Sequence, residues 1–253
     1  SLAWHGEDAD VTVMFFHPLF EHMSRHVKVG LCGQGADELH AGYPRYGGLK
    51  DHARVLNRRI DALPERLGTS LRSGELSGED GWYASVHEPS RVASNLQTML
   101  NFELEHGQLS NFQLRLVDRH SMAHSLEVRV PFLGKAHRAA SYALPNEWKR
   151  SDGREEKAAL RKAAELTKLP AEIVRRPKLP AGRATSPSML ERFLGERRSQ
   201  IEELMDHFRP WAAVLEGQEE LALGLGLFEA LHLNDDGHTK ASKSIDALLA
   251  EVI

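Results

Sequence analysis

The chain has 253 residues, with 32 Lys and Arg against 36 Asp and Glu, a formal charge of −4, and 41% apolar residues. That composition belongs to a folded globular protein rather than a disordered one, and the near-neutral balance excludes a general nucleic-acid binder, which carries a strong basic excess. The single cysteine, Cys32, excludes an intrachain disulfide framework and a multi-cysteine zinc site, and fits a reducing, cytoplasmic setting.

No apolar run approaches bilayer-spanning length; the longest candidates, residues 11–16 and 221–233, are too short or broken by polar residues and glycines. A basic segment followed by an apolar one, the mark of a secretory signal, is not present, so neither a membrane nor a nucleic acid is expected as a partner. The first residue is Ser1 rather than methionine, which sets the expectation of a cut or processed piece.

In chain order, residues 11–26 read as a helix that Pro18 bends or restarts. Residues 27–32, VKVGLC, are the best strand, read as buried, and residues 33–38 form a tight glycine turn. Residues 51–67 carry Val55, Leu56, Ile60, Leu63 and Leu67 at helical spacing, and 68–81 read as a polar connection. Residues 91–106 and 111–124 are helical; 126–133, LEVRVPFL, are extended and closed by Pro131. Short helices are predicted at 136–144 and 153–167, a Pro170-initiated turn at 169–176, and a proline-rich loop at 177–187. Residues 188–207 and 242–252 are helical, whereas Gly224 and Gly226 leave 221–231 undecided. No repeat or linker divides the chain, so one domain, 1–253, is expected. A lone buried strand cannot satisfy its own backbone groups, so 27–32 implies neighbouring strands, either cryptic or on another polypeptide. An exposed edge beside this strand would recruit a partner or limit solubility.

The chemistry concentrates at residues 27–46, VKVGLCGQGADELHAGYPRY. A strand ending in a glycine turn presents backbone N–H groups, and the following helix adds its positive N-terminal end. Gly33 and Gly35 would let a phosphate approach, and Asp37 and Glu38 could hold a divalent cation against it. From these residues alone, a plain strand-turn-helix with a capping aspartate is the favoured reading. His22 and His26, four apart, read as exposed helix residues, and Cys32 as a small buried hydrophobe rather than a nucleophile.

GQGADELHAGYPRY resembles the SGEGADELFGGYPRY signature of glutamine-hydrolysing asparagine synthetases. Residues 117–133, VDRHSMAHSLEVRVPFL, resemble that family's VDRMSMAHSLEVRVPFLD block. A third block, with Lys157 and Arg161, then Leu169 and Pro170, then Arg175 and Lys178, follows its K-x-x-L-R…LP…R-x-K pattern. The resemblance is best over residues 8–183 and implies a strongly helical α/β fold with few strands, a partial synthetase domain of the adenine-nucleotide alpha-hydrolase-like, ATP pyrophosphatase type. It further implies ATP and Mg2+ as cofactors: ATP activates the aspartate carboxylate as an acyl-adenylate, and glutamine-derived ammonia attacks it.

On these matches, Asp37 is the magnesium–pyrophosphate acid, Gly33 and Gly35 are the turn glycines near the nucleotide with Glu38 beside them, and Tyr43 lies near the acyl-adenylate. Lys178 is the basic residue that stabilises the charged phosphate. Lys157 is matched to the nucleotide site, and Lys157 and Arg161 are both open to a purely structural role. Glu127, Arg129 and Pro131 shape the pocket wall, or Arg129 is a buried ion-pair partner of Glu127 or a neighbour.

The match also breaks. The family's SGGxDS phosphate loop is absent, as is the glutaminase half with its N-terminal cysteine, so a missing segment or partner chain is expected to supply both. Gln34 stands at a catalytic acid's position and cannot act as a base. His40 replaces an aromatic, Ala41 a glycine and Gly134 an acid. Three functions remain open: amide formation on aspartate; the same chemistry on another carboxylate, as in β-lactam synthetases, lasso-peptide cyclases and related amidotransferases; or a degenerate, non-catalytic binding or assembly subunit.

Overall fold

The structure, a computed structural model, describes residues 2–6, 8–73, 89–150, 155–179, 187–218, 220–234 and 243–253. Most of the expected 68–81 connection, the start of the 153–167 helix and most of the 177–187 loop lie outside these residues.

The described chain is strongly helical. Helix α1 spans Leu2–Gly6 and α2 spans Phe16–Ser24. A 3-10 turn at Val11–Val13, capped by Asp10, separates them. Pro18 falls in the first turn of α2, where its missing N–H is not needed, so the proline starts this helix instead of bending it. Strand β1 is Val29–Leu31 and helix α3 is Ala36–His40. Next come α4, Leu49–Asp61, and α5, Glu65–Ser73. The single helix expected over 51–67 is therefore two, because Pro64 lacks an N–H and disfavours helical backbone at Leu63.

Helices α6, Pro89–Val92, and α7, Leu96–Glu105, are separated at Asn95, whose side chain accepts from the Thr98 amide at 2.9 Å. A π turn at Leu109–Gln113 leads into α8, Leu114–Met122. Strand β2, Glu127–Arg129, precedes α9, Lys135–Ala143, and α10, Asn146–Lys149. Helices α11, Ala158–Ala164, and α12, Ala171–Val174, follow. Then come α13, Pro187–Gly195, α14, Arg198–His207, and α15, Ala212–Leu215. Helices α16, Glu220–Phe228, and α17, Ile245–Leu249, complete the described chain. Residues 221–231 are thus resolved as helix running into a π turn at Glu229–Leu233. Gly224 belongs there because a Cβ would sit 1.8 Å from the Ala9 carbonyl oxygen.

Among the described residues the sheet is β1 with β2, a parallel pair. Its bonds include the Glu127 amide to the Lys28 carbonyl at 3.1 Å and the Cys32 amide to the Arg129 carbonyl at 2.8 Å. The expected buried strand requires correction. Val27, Val29 and Leu31 are 44%, 41% and 73% exposed, while Gly30 is buried. With a period of two, these three apolar residues share a face that stays open to solvent. Cys32 is half-buried, not fully buried.

The chain divides into two compact units, residues 1–30, 116–127 and 179–253 in one and 31–115 and 128–178 in the other. The core of the first gathers Leu204, Leu215, Leu223 and Leu249. The second centres on Tyr46, Ala53, Val92, Met99 and Leu100. No helix among the described residues is long and apolar enough to cross a membrane.

Candidate active site

The second unit assembles the predicted residues around Asp37. Gly35, at φ +87°, makes the turn into α3; a Cβ there would fall 2.3 Å from a Leu133 methyl. At the other end Ala41 closes the helix at φ 53°, and the Gly42 amide donates to the Asp37 carbonyl at 2.8 Å. Both ends are pinned, so Asp37 and Glu38 are held in the first turn of a very short helix. The Ser141 hydroxyl adds a tie, donating to the Leu39 carbonyl at 2.7 Å.

Asp37 is clasped by two lysines distant in sequence. Lys178 Nζ donates to Oδ2 at 3.0 Å. Lys157 Nζ stands 2.8 Å from Oδ1, an ion-pair contact without hydrogen-bond alignment. The three side chains are 13%, 20% and 23% exposed for Asp37, Lys157 and Lys178, so the charges are partly shielded from water. Lys157 caps α11 in the left-handed region at φ 56°, an uncommon backbone for a lysine. Two ammonium groups against one carboxylate leave a surplus positive charge, which suits an anionic ligand.

Arg161 holds the Lys178 segment. Its guanidinium donates to the Arg176 carbonyl at 2.9 Å, to the Val174 carbonyl at 2.5 Å and to Glu156 Oε1 at 2.6 Å. Glu156 Oε1 in turn accepts from the Lys178 amide at 3.2 Å. Burial alone would raise the Glu156 carboxyl; the hydrogen bonds to it and the Arg161 charge outweigh that and hold it low. A cavity of about 410 Å³ opens beside this clamp, lined by Gly42, Pro44, Arg150, Arg161, Arg175 and Lys178 among others. Arg175, which lines it, pairs with Glu155 and Glu165.

Tyr43 joins the same group. Gln113 Nε2 donates to its hydroxyl at 2.6 Å, the Arg45 guanidinium lies 4.1 Å from its ring centre, and Lys178 Nζ lies 5.2 Å from it. Burial pushes the Tyr43 hydroxyl well above its ordinary range, so it stays protonated. Arg45 is fixed by a partly buried ion pair with Glu103 at 2.8 Å.

Glu38 is fully buried, and neither carboxyl oxygen has a partner at hydrogen-bond length and angle. Burial, with the neighbouring Asp37 and Glu103 charges, raises it to about 7, against a partial downward pull from its own backbone N–H and the Tyr43 hydroxyl. The structure therefore gives Glu38 no cation-facing position like that of Asp37. Gln34 is half-buried in the turn and makes no side-chain hydrogen bond to a described residue. Gly33 faces open space, with no atom within 4 Å of where a Cβ would stand.

His40, beside the site on α3, is buried against His137, with Nε2 atoms 2.8 Å apart. Burial first, then the His137 ring, lowers it to about 4. Glu127 and Arg129 are both exposed, which overturns a buried ion pair for Arg129; on a strand of alternating exposure both point to solvent. His22 and His26 are exposed, as expected. The sequence reading missed Gly42, Arg45, Glu103 and Gln113; the HAGYPRY string carried the first two, and nothing local marked the others.

The geometry joins the first and third motif blocks, and comparison with known proteins agrees with them. A family model described as asparagine synthase matches residues 2–220. The chain belongs to the asparagine synthase family. It is 28% identical over 220 residues to asparagine synthetase [glutamine-hydrolyzing] 1 of Bacillus subtilis strain 168. The aligned part is 70% of this chain and 34% of that protein, so the chain spans about a third of its relative's length. No solved structure matches it. The family match includes all of the Asp37, Lys157 and Lys178 cluster.

Proposed function

We propose that this chain supplies the pyrophosphate-facing part of an ATP-dependent amide-forming site of the asparagine synthetase type. The observation that carries the reading is the Asp37 carboxylate held between Lys157 and Lys178 at the carboxyl end of β1. In an α/β sheet that end is where ligands bind. On this reading the chain is the C-terminal portion of an adenine-nucleotide alpha-hydrolase-like synthetase domain. The open apolar face of β1 supports a further packed element, with the SGGxDS loop, coming from a missing segment or partner chain.

The residues fit ATP and Mg2+. Magnesium is held through one or two carboxylates plus substrate phosphates, and Asp37 is such a carboxylate with no Cβ at Gly42 to crowd it. When bound, the cation neutralises phosphoryl charge during adenylation. Lys178 and Lys157 exchange their ion pair with Asp37 for contacts to the departing pyrophosphate. Arg161 keeps the Lys178 backbone in place during that exchange. Tyr43, protonated and stacked under Arg45, forms a rigid polar wall for the activated carboxylate, aspartate or another acid. Ammonia attack requires a proton acceptor, and Gln34 cannot be one.

That last point favours a second reading, a non-catalytic binding or assembly subunit that keeps the phosphate-facing residues. ATP–pyrophosphate exchange with aspartate separates the two, measured on the chain alone and with a polypeptide carrying the SGGxDS loop and a glutaminase. The proposal expects exchange in the combination. Absence of exchange in both supports the non-catalytic reading.

A further inference from the structure

Four histidines meet in the first unit, away from the Asp37 cluster. His5 lies on α1, His17 on α2, and His120 and His124 on α8 and the turn that ends it. The rings of His17 and His124 are 4.5 Å apart, with His124 Nε2 3.2 Å from His17 Nδ1. His5 stacks on His17 at 5.8 Å, and His120 meets it edge-on at 6.2 Å. His120 is fully buried, and neither of its ring nitrogens has a hydrogen-bond partner.

A 3.2 Å contact between two imidazole nitrogens requires one to donate and the other to accept, so at least one ring of the pair is neutral. Around the cluster, α1 contributes His5; α2 contributes His17 and Glu21; α8 and its closing turn contribute His120 and His124. Asp8 and Lys243 line the same cavity wall as His17. Glu21 is the carboxylate acting on His17, and it already pairs with Arg25. Among the described residues no three His, Cys, Asp or Glu side chains are arranged to hold a metal ion.

We infer that the His5–His17–His120–His124 cluster is a proton-sensitive clasp: with neutral rings it holds α1 and α2 to α8, and protonation releases them. Burial first, then His17 and His5, lowers His120 to about 4; burial also lowers His17 and His5, with His124 acting in the same sense and Glu21 opposing at His17. The unfolded chain takes up these protons near 6.5 and the native one only lower. The clasp's stability is therefore present above about 6.5 and is lost as pH falls from there toward about 4.

The test is a pH titration of the intact chain from about 7.5 to about 3.5, following histidine ring signals by NMR and backbone exchange of residues 2–26, corrected for the intrinsic pH effect. The clasp predicts depressed midpoints for His5, His17 and His120 and exchange that rises up to about tenfold per pH unit for each proton taken up. His120→Phe, which keeps an aromatic ring and removes both buried nitrogens, should flatten that rise while leaving exchange at the starting pH unchanged. Ordinary, independent midpoints for those three rings overturn the inference, and so does a rise in exchange that is the same in His120→Phe as in the parent. If the variant does not fold, the parent's ring midpoints decide alone.

Discussion

Gly42 lies so close to Asp37 that a Cβ on it would stand 1.9 Å from Oδ1 and 2.3 Å from Lys157 Cε. The glycine is needed here to let the carboxylate and the first lysine meet. Gly42→Ala should displace one or both and destabilise the unit by about 1–3 kcal/mol, as overpacking does. Gly33→Ala, in open space, should leave the midpoint of thermal unfolding unchanged. Scanning calorimetry of the two variants checks the contrast.

The two lysines differ in alignment. Lys178 makes a hydrogen bond to Asp37, whereas Lys157 makes an ion pair without one and spends an unusual backbone conformation to reach it. Lys178→Ala should therefore destabilise by about 1.5–3 kcal/mol, the range for a hydrogen bond to a charged group, and Lys157→Ala by less. Lys157→Gly, which relieves the left-handed backbone, should be the milder change of the pair at that position. Denaturant titration orders the three.

Arg161 binds three backbone carbonyls, of Glu156, Val174 and Arg176, and the Glu156 carboxylate with a single planar group. Lysine cannot reproduce that fork. Arg161→Lys and Arg161→Ala should both destabilise, by about 3 kcal/mol for the alanine, because the Glu156 carboxylate and three carbonyls lose their donor. Protease cleavage between residues 174 and 179 should accelerate in both variants.

Glu38 sets a pH dependence of opposite sign to that of the histidine cluster. Its native carboxyl titrates at about 7 against 4.5 unperturbed, so the native state binds the extra proton between those values. The stability it contributes is present below 4.5 and is lost as pH rises through about 7. Glu38→Gln keeps the shape without the charge and should raise stability near pH 8 by on the order of 3 kcal/mol relative to the parent, with little difference near pH 4.5. Unfolding midpoints at the two pH values check it.

The turn and helix around Asp37 were legible because glycine, acid and alternating pattern occur within a few residues. Lys178 was legible only through its motif, since 141 positions separate it from its partner and no periodicity spans that distance. Arg161 looked ambiguous for the same reason: two of its carbonyl partners, Val174 and Arg176, lie on a later segment whose path no local rule gives. The helix break at Pro64 was missed although the proline itself marks it, whereas the exposed face of β1 was not readable, because VKVGLC reads the same whether or not another element covers it. The four-histidine cluster draws on three separated helices, so spacing within the sequence pointed instead to His22 and His26, which are exposed.

The claim that Asp37, Lys157 and Lys178 form a phosphate-facing site is tested most directly by calorimetric titration of this chain with pyrophosphate, with and without magnesium. The account predicts binding that requires magnesium and weakens at least about tenfold, ~1.4 kcal/mol, in Lys178→Ala and in Asp37→Asn, with unchanged helical content. Equal affinity in the parent and both variants, or no binding to the folded parent, would contradict it.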